Sequence, residues 1–197
     1  MELICEAAKA PHKKINMSGI YLHIPFCKKA CHYCNFHFST SSNYIGEMTS
    51  ALKKELFLRK NEATHPVETI YFGGGTPSML SEIAISELIA EVKSQFDVTS
   101  NPEITLEANP DDLTPPYLAA LKNAGINRLS IGVQSFHDEE LTLMNRAHNG
   151  KQAIQSVLWA QEFFENVSLD LLFGTPHTTL ADWKKNLEIA LTLNVPH

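Results

Sequence analysis

The chain has 197 residues, 44% hydrophobic and 19% charged, which is ordinary globular composition and enough for one sizeable core. A formal net charge of −6 gives no bulk attraction to nucleic acid or to an anionic membrane. No run approaches the ~18 apolar residues of a membrane span, and MELICEAAKAPHKKINM lacks the ~7–15-residue apolar stretch of a signal peptide. The expectation is a cytoplasmic protein with no integral membrane segment. There thiols stay reduced, and clustered cysteines serve metal or redox chemistry rather than disulfides. Residues 1–17 read as a disordered leader, in which Cys5 has no assigned role, and residues 18–197 as one domain.

The first predicted strand is GIYLHIPF, Gly19–Phe26. Three cysteines follow it as C-x3-C-x2-C: Cys27, Cys31 and Cys34. A helix over Tyr44–Lys60 places Ile45, Met48, Leu52 and Leu56 at helical spacing. The second strand, Glu68–Gly74, runs into GGGTP, and a helix follows over Ser81–Phe96. The third strand is Glu103–Asn109. Thr114 then suits an N-cap, Pro115 the first helical position and Gly125 the stop. The fourth strand is Arg128–Ser135, and Ser135 with Asp138 suits a capping box for a short helix, Asp138–Asn145. Lys151–Phe164 reads as a helix, Val167–Gly174 as the fifth strand and Leu180–Leu193 as the last helix. Most of these strands read as apolar on both faces, as buried parallel strands do.

A β-α unit repeated five times predicts a parallel α/β sheet, either doubly wound or part of a (β/α) barrel. The chain ends at LNVPH, so it is expected to stop before a further strand, leaving apolar edges at the fifth strand and last helix. In either fold, functional groups gather at the carboxyl ends of the strands. Those ends here carry the cysteines, GGGTP, Glu107, Gln134 and Asp170.

Three thiolates can hold three corners of a [4Fe–4S] cube and leave one iron open. The alternative is a zinc-stabilised binding module, its tetrahedral site completed by His32 or His37. The glycines of GGGTP remove side chains so that a ligand can approach the backbone, although tight turns use the same residues. Glu107, Gln134 and Asp170 sit among apolar neighbours and need polar partners, either in a structural network or on a polar ligand. Arg146 is either a solvated helix-end charge or a bidentate partner for a carboxylate.

Taken together, Y-x-H-x-P-F-C-x3-C-x-Y-C, GGGTP, E-x-N-P, G-V-Q-S-F, a following N-R and D-L-x-x-G-x-P resemble the radical S-adenosylmethionine (SAM) superfamily, over Ser18 to His197. Within it they are similar to the group of oxygen-independent coproporphyrinogen III dehydrogenases and related haem chaperones. The resemblance implies a partial, TIM-like (β/α) barrel of about six units, of which five are present. It implies that Cys27, Cys31 and Cys34 ligate a [4Fe–4S] cluster whose open iron takes the amino and carboxylate groups of S-adenosyl-L-methionine. Tyr21, Gly74, Gly75, Thr76 and Glu107 match residues lining the SAM site, Gln134, Arg146 and Asp170 match further SAM contacts, and Tyr33 matches an aromatic beside the cluster. The implied chemistry is one-electron reduction of the sulfonium to methionine and a 5′-deoxyadenosyl radical, fed by an electron donor.

The dehydrogenases continue to a fourth cysteine two residues after the third, where this chain has Phe36, and their extension before the motif is longer. Both departures favour the haem-chaperone branch, which is linked to haem and to haem-accepting proteins. The alternative within the group is oxidative decarboxylation of coproporphyrinogen III. No catalytic residue is assigned.

Overall fold

The computed structural model describes residues 17–197; the predicted leader, with Cys5, lies outside the described residues except for Met17. The elements are β1 (Ser18–Ile24), α1 (Ile45–Leu58), β2 (Val67–Gly74), α2 (Glu82–Gln95), β3 (Val98–Ala108), α3 (Pro115–Ala124), β4 (Arg128–Gln134), α4 (Asp138–Leu143), α5 (Gly150–Phe163), β5 (Asn166–Leu171) and α6 (Leu180–Thr192). Short 3₁₀ turns over Pro77–Met79 and Pro110–Asp112 follow β2 and β3. No helix among the described residues is long and apolar enough to cross a membrane.

The five strands pair in parallel in the order β1-β2-β3-β4-β5. A doubly wound sheet reverses direction at a switch point. This one never does, so it is the arc of a (β/α) barrel with β1 and β5 as open edges. The final residue reaches the β5 edge, where Leu169 N donates to His197 O at 2.9 Å. As expected, apolar side chains stand exposed there: Phe173, edge-on to Trp183, and Leu180, Leu187 and Leu191 of α6.

The strands are not apolar on both faces. One face carries Leu22, Ile70, Phe72, Leu106, Ile131 and Val167, all buried against the helices. Alternate residues on the other face are polar, aromatic or absent: Tyr21 and His23, Tyr71 and Gly73, Thr105 and Glu107, Arg128 and Ser130, Ser168 and Asp170. The period of two holds because only one face packs on helices. The other lines the concave side of an unclosed barrel, where polar groups pair with one another or meet solvent.

Local signals decide several of the helix ends. Ser81 Oγ accepts from Ala84 N at 3.2 Å, and Gly125, at φ +104°, closes α3 in the left-handed region that favours glycine. Thr114 holds the N-cap position before Pro115 without a side-chain bond. The Ser135–Asp138 capping box does not form, because both side chains are drawn into tertiary contacts. Ser135 Oγ exchanges hydrogen bonds with the Asn186 side chain at 3.1–3.2 Å, and Asp138 Oδ1 accepts from Gly150 N at 2.8 Å. Capping boxes form instead at Asn149–Gln152 and Thr179–Asp182.

Candidate functional site

The cysteine loop leaves β1 and is closed at its base: Cys27 N donates to Ser39 O at 3.0 Å and Ser39 N to Pro25 O at 2.8 Å. Cys34 N donates to Cys31 O at 3.1 Å, so the second and third cysteines share a tight turn. All three thiols are free and half-buried. Two neighbours grip the loop from outside. At the end of α4, Met144 O accepts from His32 N and Leu143 O pairs with His32 Nδ1 at 2.7 Å, while Asn145 Nδ2 donates to Ala30 O at 2.9 Å. At the turn after β3, Lys28 pairs with Asp111 at 2.8 Å and with Asp112.

The glycines at the end of β2 have a packing reason besides the one expected. A Cβ on Gly73 would lie 2.8 Å from the Tyr21 and Tyr71 rings, and one on Gly74 would lie 2.6 Å from the His23 ring. A Cβ on Gly75 would lie 2.8 Å from Phe26 O and 3.0 Å from Cys27 Sγ. The protein's own rings and cysteine loop occupy the space the missing side chains leave. The triplet thus lets the loop close onto β2, with Gly75 N donating to Ile24 O at 2.9 Å and Thr76 N to Phe26 O at 2.8 Å. Burial pushes the Cys27 thiol up, while a bond from the Thr76 hydroxyl opposes the shift.

Arg146 is neither a solvated charge nor a free bidentate fork. Its Nη1 donates to Cys31 Sγ at 3.4 Å and Tyr33 Oη at 3.1 Å, and its Nη2 to Asn109 Oδ1 at 2.7 Å and Gly132 O at 2.6 Å. One guanidinium therefore ties the cysteine loop to the ends of β3 and β4, and its Nε is buried with no protein partner. Burial pushes the Tyr33 phenol up to about 12 against the opposing pull of Arg146. Glu107 accepts from Tyr71 Oη at 2.7 Å and Gly74 N at 3.1 Å. Asp170 accepts from Ser130 Oγ at 3.2 Å, and burial raises its carboxyl above the usual range. Gln134 ends β4 at φ +66°, a backbone conformation that costs a non-glycine residue about 1 kcal/mol or more.

Eleven of the twelve predicted residues line one cavity of about 240 Å³: the three cysteines, Tyr33, Gly74, Gly75, Thr76, Glu107, Gln134, Arg146 and Asp170. Tyr21 stands outside it on the concave face, 56% exposed and stacked on Tyr71. Larger grooves of about 710 and 570 Å³ lie beside α4–α6 and along β1–α1, and neither contains a cysteine. Sequence reasoning did not single out Asn109, Ser130 or Tyr71. Asn109 bridges Arg146 to Thr76 Oγ1, to which its Nδ2 donates at 3.1 Å. The signal for Asn109 and Ser130 was their period-two spacing from Glu107 and Gly132 on the same strand face.

A parallel sheet in the order β1-β2-β3-β4-β5 with three thiols at its carboxyl end defines the class: a partial (β/α) barrel domain. The model of the radical SAM superfamily matches residues 21–190, and the chain belongs to that superfamily. Among curated relatives, "Heme chaperone HemW" of Bacillus subtilis (strain 168) is 40% identical over 185 residues, 92% of this chain and 49% of the relative. The mitochondrial radical S-adenosyl methionine domain-containing protein 1 of Bos taurus is 36% identical over 188 residues, 91% of this chain and 41% of the relative. Among solved structures, the coproporphyrinogen III oxidase HemN of Escherichia coli, a radical SAM enzyme, superposes with a TM-score of 0.82 at 30% identity, over 91% of this chain and 42% of that one. The chain thus spans about half the length of the curated relatives it matches, 49% of the Bacillus protein and 41% of the Bos taurus one. Membership of the superfamily carries the expectation of SAM and a [4Fe–4S] cluster.

Proposed function

We propose that residues 18–197 form the cluster- and SAM-binding domain of a haem-chaperone-type radical SAM protein. The observation that carries this is the convergence of three free thiols and eight other predicted residues on one cavity at the strand ends. The donor set fits: Cys27, Cys31 and Cys34 would hold three corners of a [4Fe–4S] cluster, leaving an iron for SAM. Glu107 would accept a hydrogen bond from the amino group of SAM, and Tyr21, Tyr33, Gly74, Gly75, Thr76, Gln134, Arg146 and Asp170 would line the rest. When bound, cluster and SAM supply one-electron radical chemistry, while the protein orients and shields them. Arg146 keeps the cysteine loop in register with β3 and β4, and the loop's base, bonded to β2, keeps the thiols at the cavity.

Zinc has less support, because the model of the radical SAM superfamily matches residues 21–190. The chaperone branch is favoured over the dehydrogenase by the relatives named HemW and by Phe36, 73% exposed on the cysteine loop where the dehydrogenases carry a cysteine. The proposed setting is the cytoplasm, with an electron donor and haem-accepting proteins as partners.

Anaerobic reconstitution tests the site. About four irons per chain with matching sulfide, lost in Cys31→Ala, is the expected result; one tightly held zinc and no iron overturns it. Incubation with SAM, reductant and coproporphyrinogen tests the branch: formation of protoporphyrinogen overturns the chaperone assignment.

A further inference from the structure

Glu107 presents its carboxylate to the cavity with a separate donor on each oxygen. Gly74 N, at 3.1 Å from Oε2, is backbone and is placed by β2 itself. Tyr71 Oη, at 2.7 Å from Oε1, is at the end of a side chain and goes where the ring goes. That ring is held from two sides. It stacks on Tyr21 with centroids 5.9 Å apart and 22° between planes, and it fills the space a Gly73 side chain would take. Tyr21 is held in turn by His23 Nδ1, 3.1 Å from its hydroxyl, and the His23 ring lies over Gly74, whose amide closes the circuit back to Glu107. Five residues on β1, β2 and β3 thus form one closed ring of contacts, and Glu107 is the member that brings a side chain to the cavity.

We propose that Tyr71 is a positioning residue of the ligand site: its hydroxyl fixes the rotation of the Glu107 carboxylate, so that the carboxylate accepts from the amino group of a bound amino-acid-type ligand. The inference rests on the proposed function, which makes that ligand SAM. A carboxylate held by one backbone amide can still turn about its terminal torsion, which is broad. A second, charge-assisted bond at 2.7 Å removes that freedom before the ligand arrives. Burial and the neighbouring Glu107 both push the Tyr71 phenol up, so it stays protonated and donating across the neutral range. Tyr21 cannot substitute, because its hydroxyl is committed to His23.

The test is a double-mutant cycle on the reconstituted protein, with SAM affinity measured by equilibrium dialysis and iron content and thermal midpoint followed in parallel. Tyr71→Phe keeps the ring and its stack and removes only the hydroxyl. The expected result is SAM binding weakened about tenfold with iron content unchanged. In a Glu107→Ala background the same substitution is expected to change affinity less than about twofold, because the group it orients is gone. Equal affinity of Tyr71→Phe and wild type overturns the role of Tyr71 while leaving the SAM site standing. An equal loss in both backgrounds also overturns it, by showing that Tyr71 acts through general structure. Absence of SAM binding by the reconstituted wild type overturns the proposed function and this inference together.

Discussion

On β3, Leu106 and Glu107 are neighbours in sequence and opposites in surroundings. Leu106 is fully buried among helix side chains, and Glu107 faces the concave side, its oxygens bonded to Tyr71 and Gly74. The same contrast repeats on every strand. The helix side is held by area removed from water, at about 25 cal/mol per Å² and without direction. The concave side is held by a network of directed contacts: Tyr21 to Tyr71 to Glu107, Arg128 to Thr105 and Ser168, Ser130 to Asp170. The first face sets whether the chain folds, and the second sets what the folded chain can hold.

The largest effect that separates the faces is Leu106→Ala, expected to cost about 2–5 kcal/mol in urea unfolding. Glu107→Ala, one residue on, is expected to cost about 1 kcal/mol of stability while weakening SAM binding about tenfold or more. Equal stability losses would break the contrast.

The next effect probes the seam where the helix side meets the cavity. His148 is 5% exposed, its Nε2 pairs with Val133 O at 3.1 Å, and its Nδ1 has no partner among the described residues. Burial, helped by the nearby Arg146, pushes its pKa down to about 4. The unfolded chain, with an ordinary value near 6.5, therefore binds more protons than the fold between about 4 and 6.5. The stability contributed is full above pH about 6.5 and is lost as pH falls toward about 4, up to about 3 kcal/mol in all. Unfolding measured across that window should show this slope, and His148→Gln should flatten it.

Smaller effects sharpen the concave side. Arg146→Lys replaces a fork serving four acceptors with a point charge, and should cost about 1–2 kcal/mol. Amide exchange should quicken at His32 and Cys34 while the sheet stays protected. The smallest is Gly125→Ala, remote from the cavity at φ +104°, at about 1 kcal/mol with SAM affinity unchanged.

The alternation of strand and helix, the stop at Gly125 and the gathering of chemistry at strand ends were all legible in the sequence, because each depends on local periodicity or on one residue's conformational range. The Ser135–Asp138 capping box was misread because local chemistry competed with Asn186, 51 residues away, for the same hydroxyl. The strand faces were misread because an apolar run does not say which side has helices to pack on. The close packing of the glycine triplet was not legible, because the rings and loop that press on it come from β1, from the cysteine loop and from Tyr71 two residues before Gly73.

The sequence by itself therefore determined the element order, the family through its spaced motifs, and the thiols that bear the chemistry. Those follow from spacing along the chain, which folding does not alter. Only the tertiary structure decided that the strands lie in the order β1-β2-β3-β4-β5, that Arg146 holds the cysteine loop, and that Tyr71 and Asn109 belong to the site. The first is backbone pairing and the others are contacts of side chains brought together from different strands and loops, and all of them exist only once the sheet has formed.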